Sequence, residues 1–460
     1  MGLIPPSLKP IHKESEKNFT RESKLPLRKL IVFILSITSS GKGKGVDSKS
    51  GEFFKAARRS HLWPSAKAIH RSTLTKARKK VKWEVFEEIF HDAVKLAYEV
   101  WPQSDRYTWH GMSVFGVDGS KYSLPATPEL REKFDPLSGW ENPGKGHYPQ
   151  CLVSTVYDVF RRIAVGRTVV GCNSSEREQA KVLIPKIPPG NLLLLDRGYP
   201  SFEVFDFINK NYDGYYIIRS PASSSFAAVT KFIKSKKAED VILISPPQSY
   251  LRKYKLDSQK KKEIEPLRLR VIRLKAPDGT LSVLFTNLLD IKHFSRKEIT
   301  ELYFRRWEIE SYYRDEKIFI DVDTFHSRKV NGILQELFAA LIMSVIARIL
   351  MVISISQPKE NKTNKTEVRP KKTIKKTTKT MPEPQFKNSV MALAAEAAIM
   401  APDKPNVAAA IFKEILEEIR RVKYYRPKIP QPSKARFTKR PKNKWAGHNP
   451  KVWKKKECKA

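Results

Sequence analysis

The sequence predicts an α/β fold built on a mixed sheet, and three observations carry that expectation. Two apolar runs of strand length, Val114-Phe115-Gly116-Val117 and Leu192-Leu193-Leu194-Leu195, each lead into an aspartate, Asp118 and Asp196. Between them, residues 150–158 and 163–170 read as strands and 176–183 as a helix, so the two periodicities alternate along one stretch of chain. Residues before about 110 carry helical spacing instead, which sets a helical segment ahead of the sheet.

Taken in order, residues 1–110 form a helical N-terminal domain with basic stretches at 55–59 and 76–82 and an amphipathic segment at 83–100. The charge makes this domain a candidate DNA-binding head. Residues 111–355 hold the sheet. Strands at 113–118, 150–158 and 163–170, a helix at 176–183 and the strand ending at Asp196 follow one another in a ribonuclease-H-like order, continued by a helix at 201–210 and a strand at 214–219. Asp196 and Glu310 are separated by 113 residues, more than this order needs, and 241–244, 267–274 and 281–286 read as further strands. A β-rich insertion at about 220–290 is expected, a candidate second wall for a bound duplex. Residues 333–355 are long enough to span a bilayer but contain Glu336 and Arg348, so a core helix is the expectation; 30–37 are too short to span. Residues 356–385 read as a flexible Lys/Thr-rich linker, and 386–460 as a helical segment followed by a basic tail.

Composition asks for an anionic partner. Against 48 Asp and Glu stand 87 Lys and Arg, a net charge of +39, far beyond what solubility needs. Residues 424–456 hold twelve Lys or Arg and no acid, interleaved with Tyr425, Phe437, Trp445 and Trp453, as in a segment that orders on a polyanion. Three cysteines, Cys151, Cys172 and Cys458, lack the spacing of a disulfide framework or a zinc knuckle, which points to reduced thiols and a cytoplasmic protein without a membrane segment. His147 and Cys151 sit where a loop runs into a strand, a poor setting for a metal pair.

Chemistry is concentrated in two places. Tyr303, Arg306, Glu310 and Lys317 fall at offsets 0, 3, 7 and 14, which at about 100° per residue sets them within a stripe of roughly 60° on one helix. Such a stripe can hold a metal ion and grip neighbouring phosphates, whereas the same residue types scattered on a helix are a solvated face. The second place is the pair of aspartates, each read as ending a strand, where the crevice beyond the carboxyl ends of an α/β sheet takes ligands. Taken singly, each Asp is a turn former. Three carboxylates together repel one another in low dielectric, and hard oxygen donors suit Mg2+ or Mn2+. Two such ions, about 3.5–4 Å apart, support in-line phosphoryl transfer. On that scheme Asp118 bridges both, while Asp196 and Glu310 hold one each.

The residues 303–317 carry Tyr, two residues, Arg, three residues, Glu, six residues, Lys without departure, and by this the chain resembles transposases of the insertion sequence four family. Gly116-Val-Asp118-Gly-Ser, Tyr148-Pro-Gln150, Ser175-Glu-Arg177, Leu195-Asp196-Arg-Gly-Tyr199 and Thr286-Asn-Leu-Leu-Asp290 support the likeness, which covers roughly residues 25–355. The resemblance implies a catalytic, metal-binding Asp118, Asp196 and Glu310, and contacts to DNA from Tyr303, Arg306 and Lys317, with Arg197 a further candidate. It implies cut-and-paste transposition on double-stranded DNA, acting at terminal inverted repeats and at target DNA, by a homodimer. The alternatives are a transposase-derived DNA-binding protein without catalysis and a metal-dependent nuclease that cuts without joining.

Overall fold

A computed structural model describes residues 4, 12–20, 25–39, 45–136, 148–223, 226–253, 264–276, 279–356 and 383–424. The expected linker, apart from its ends, the basic tail and His147 fall outside the described residues. In chain order come α1 (Leu27–Ser39), α2 (Val46–Arg59), α3 (Arg71–Arg78) and α4 (Glu84–Val100), then β1 (Val114–Ser123), α5 (Pro128–Phe134), β2 (Gln150–Asp158), β3 (Ile163–Gly171), α6 (Glu176–Leu183), β4 (Leu192–Leu195), α7 (Phe202–Asn211) and β5 (Tyr215–Pro221). They are followed by α8 (Ala227–Lys234), β6 (Glu239–Ile244), α9 (Gln248–Lys253), β7 (Leu267–Lys275), β8 (Leu281–Thr286), α10 (Arg296–Phe304), α11 (Trp307–Asp315), α12 (Val330–Ser356), β9 (Glu383–Pro384), α13 (Phe386–Ala395), α14 (Pro405–Arg421) and β10 (Lys423–Tyr424).

One eight-stranded sheet, ordered β3-β2-β1-β4-β5-β8-β7-β6, organises the chain. β1, β4 and β5 run parallel and β2 and β3 pair antiparallel on one side, which is the ribonuclease-H-like arrangement. β4 is four leucines, all buried, as a strand covered on both faces must be. The insertion departs from expectation. Its strands build no separate wall: β8 pairs antiparallel with β5, β7 with β8 and β6 with β7, so they lengthen the central sheet. The free edge of β5 supplied unpaired backbone groups, and β8 took them. Arg270 of β7 is wholly buried there, donating to Glu239 and to the carbonyls of Leu288 and Phe294.

α12 decides how the ends of the chain are arranged. It is apolar around its whole circumference, so each side needs cover, and 83% of its most apolar stretch is buried inside the fold. α1, α4, α13 and α14 supply that cover in one continuous core. Its two charged residues are paired within the protein: Glu336 accepts from Arg78 at 2.7 Å, and Arg348 faces Asp315 and stacks on Phe386. The helices before residue 110 therefore share a core with residues 386–419 rather than standing apart. Arg78, counted in sequence among the basic stretch at 76–82, points inward, while Lys76, Lys79 and Lys80 are exposed.

Burial alone would raise the Glu336 carboxyl, but Arg78 and His326 bring it down to about 2. A carboxyl depressed in the fold contributes stability above its unfolded pKa, and that contribution is lost as pH falls through the folded value. Glu336→Gln is expected to cost on the order of 3 kcal/mol at pH 7, with the gap to wild type closing between about pH 4.5 and pH 2. Urea unfolding at several pH values measures this; a gap that stays constant with pH would refute it.

Candidate active site

The register of the sheet brings the two aspartates together. Gly116 of β1 lies beside Leu194 of β4, so Asp118 and Asp196, each two residues further on, come level across the parallel pair. Asp118 is not at a strand end as its Asp-Gly context suggested. β1 runs on to Ser123 because β2 keeps pairing with it, and Asp118 stands opposite Thr155. What ends there is β4, at Leu195. Asp196 Oδ1 accepts from Gly198 N at 2.7 Å, which folds the following loop back, and Arg197 is exposed on that loop.

Glu310 comes from above, on α11. Tyr303 to Lys317 do not form the single regular helix the spacing suggested: α10 stops at Phe304, a tight turn holds Arg305 and Arg306, α11 ends at Asp315, and Glu316–Ile320 is a π-helical stretch closed by Asp321 in the left-handed conformation. At the turn, Arg306 N bonds Tyr303 O and Glu308 N bonds Arg305 O, three residues apart instead of four, which tightens the helix just before Glu310. The four residues of the stripe are divided among these pieces. Arg306, 7% exposed, reaches Glu310 Oε1 at 2.7 Å and Asp118 Oδ2 at 3.7 Å, and so links the helix acid to the sheet acid. Tyr303 is buried at 3% exposure, its phenol beside the Arg306 guanidinium. Lys317 donates to Ser120 Oγ and to the Lys121 carbonyl, both at 2.7 Å, and lies over the Tyr122 ring. Lys317 thus pins the π-helical stretch to β1.

Two groups that the sequence reading passed over complete the surroundings. Tyr313 Oη donates to the Asp118 carbonyl at 2.7 Å, docking α11 on β1. Below, Arg167 of β3 makes a wholly buried pair with Glu316 at 2.9 Å and bonds Tyr312 Oη at 2.8 Å, while Tyr122 donates to the same carboxylate. Nothing local marks Arg167, which reads as one polar position in a strand.

Burial pushes the Asp118 carboxyl up to about 7; Arg306 opposes this, and the neighbouring Asp196 and Glu176 add to it. The Tyr199 hydroxyl, wholly buried close to these acids, has no hydrogen-bond partner among the described residues. Crowded hard-oxygen donors whose mutual repulsion is only partly offset by one guanidinium fit a divalent cation in chemistry. Among the described residues no three His, Cys, Asp or Glu side chains are grouped to hold a metal ion, and Glu310 is turned onto Arg306. Cys151 is buried, and burial pushes its thiol up to about 12.

The chain is 25% identical over 284 residues to the transposase InsG for insertion sequence element IS4 of Escherichia coli strain K12, an alignment covering 61% of each protein. To the putative transposase InsZ of the same strain it is 24% identical over 143 residues, 31% of this chain and 46% of that one. The chain thus spans less than two thirds of these relatives. Among solved structures, the piggyBac transposase synaptic complex with hairpin DNA matches with a TM-score of 0.40 and 10% identity, covering 84% of this chain and 75% of that one, too faint a likeness to build on. The family described as transposase DDE domain matches residues 109–346, a span that takes in β1, β4, α11 and all three candidate acids. With more than half of its length inside that match, the chain belongs to the DDE transposase domain family.

Proposed function

We propose that this protein is a DNA transposase, cleaving double-stranded DNA at the ends of an insertion sequence and joining the freed ends to target DNA. The observation that carries the reading is the level placement of Asp118 and Asp196 beneath a helix whose Glu310 is held by Arg306, inside the family match. Asp118, Asp196 and Glu310 would hold Mg2+ or Mn2+, two ions on this reading, which supply a polarised water or hydroxyl and stabilise the leaving oxygen.

The chain's own residues do the rest. Arg306 presents a planar guanidinium between Glu310 and Asp118, and a phosphate entering the crevice competes with those carboxylates for it. On this reading Arg197, exposed beside Asp196, contacts the same strand. Hydrolysis of one phosphodiester leaves a 3′-hydroxyl, and that hydroxyl then attacks a phosphodiester of the target, displacing its 3′ oxygen as the new bond forms. Two ends must be processed together, which calls for a homodimer on DNA. The basic stretch at 55–59, the exposed Lys76, Lys79 and Lys80, and the tail from 424 supply phosphate contacts on this reading.

The test uses purified protein and a plasmid carrying the coding region with its native flanks, assayed with Mg2+, with Mn2+ and with a chelator. Excision and joining that the chelator abolishes are the expected result. Binding without cleavage in either metal would establish a non-catalytic binder, and cleavage without joining a nuclease.

A further inference from the structure

A polar cleft of about 460 Å3 lies between α11, the turn joining β2 to β3, α12 and the paired strands β9 and β10. At about 100° per residue Glu310 stands on one flank of α11, Glu308, Ser311 and Asp315 stand on the other, and Arg314 occupies the exposed crest between them. Only the width of α11 therefore separates the cleft from Glu310. Each carboxylate in it is held by a guanidinium of the fold. Arg162, in the left-handed conformation at its turn, donates to Glu308 at 3.1 Å and lies 3.6 Å from Glu383. Arg106 reaches Glu383 at 3.3 Å, and Arg348 faces Asp315 at 3.9 Å. Two further cations of the lining, Arg314 and Lys387, are exposed and enter no ion pair among the described residues. With the acids offset from within, the charge that the cleft offers to solvent is positive.

The basic tail starts at the same place. Tyr424, exposed on the rim of the cleft, pairs with Glu383 in the β9–β10 ribbon, and the residues from 425 to 456 carry twelve Lys or Arg and no acid. We propose that this cleft is a second DNA-backbone site, in which Arg314, Lys387 and the Ser311 hydroxyl hold phosphates of the duplex that continues past the cut, and from whose rim the tail extends the contact. This rests on the DNA-cleaving reading of the centre. A helix diameter of about 10 Å against a rise of about 3.4 Å per base pair sets the cleft roughly three base pairs from the scissile phosphate. The Arg162 bridge between Glu308 and Glu383 then has a purpose, fixing the ribbon that launches the tail to the helix that carries Glu310.

The test measures binding of the full-length protein to a duplex carrying an element end with its native flank, across a salt series, with each variant's fold checked by circular dichroism. Arg314→Ala combined with Lys387→Ala is expected to weaken binding about tenfold and to lower the log–log salt slope by about 1.8, or 0.9 for each lost phosphate contact. Arg314→Lys, which keeps the charge, should keep the slope. p-Azidophenylalanine in place of Tyr424 should photo-cross-link to the flank about three to five base pairs from the cut, a readout that does not depend on cleavage. An unchanged slope in the double variant, a loss shared by Arg314→Lys, or no cross-link from position 424 to DNA that the protein binds would each overturn the cleft's role and leave the DNA reading standing. Wild type that binds no DNA even at low salt would overturn the DNA reading itself.

Discussion

Asp118→Asn is expected to abolish strand cleavage and, in metal-free buffer above pH 7, to raise the melting temperature. The two effects share one cause. Asp118 is held against Asp196 and Glu176 in a partly buried site, and its carboxyl is pushed up to about 7, so ionising it opposes folding. A carboxyl raised in the fold contributes fully below its unfolded pKa, near 4, and loses that contribution as pH rises through about 7. Asparagine removes the penalty at neutral pH and changes little at pH 4. The gain is of the order of a few kcal/mol before solvent relaxation reduces it. Cleavage should fall by about 10³-fold or more, the equivalent of roughly 4 kcal/mol of transition-state stabilisation. Plasmid excision assays and thermal melts at pH 4 and pH 8 check both halves. Persistent cleavage would remove Asp118 from the catalytic set, and a lower melting temperature at pH 8 would show that its charge is satisfied by the fold.

Arg167→Ala should destabilise the protein by about 3–5 kcal/mol, because it leaves Glu316 charged and buried without its partner. The pair has no exposure on either side chain, and Tyr122 and Tyr312 complete it. The double variant Arg167→Met with Glu316→Leu removes both charges and should recover most of that loss. Unfolding free energies from urea titration decide the matter. A loss below about 1 kcal/mol for the single variant would mean that water reaches Glu316. The double variant has a second use: Glu316 begins the π-helical stretch that carries Lys317, so it asks whether this network serves stability alone or also the setting of α11.

Much of this was legible in the residues because the signals are local. Apolar runs marked β1 and β4, alternating apolar and basic residues marked β7, and the stripe from Tyr303 to Lys317 marked the helix bearing Glu310. The rest depended on contacts between distant segments. The break at Arg305 and Arg306 and the π-helical stretch leave no sign in sequence, since every residue there is compatible with a regular helix. Asp118-Gly119 looked like a turn because pairing with β2, which keeps the strand extended, lies more than thirty residues away. The insertion strands were visible as strands, yet which edge they would join was not. Arg167 and Glu316 are separated by 149 positions, and neither predicts the other.

The all-round apolar surface of α12 bears on how this protein could be re-engineered. Retargeting a DNA enzyme by exchanging its head assumes a head that can be unscrewed, and here the first hundred residues are walls of the room in which α12 sits. A graft made near residue 110 would strip α1 and α4 from that helix and expose an oily rod. A donor head would have to bring its own matching lining, or be added outside the existing one.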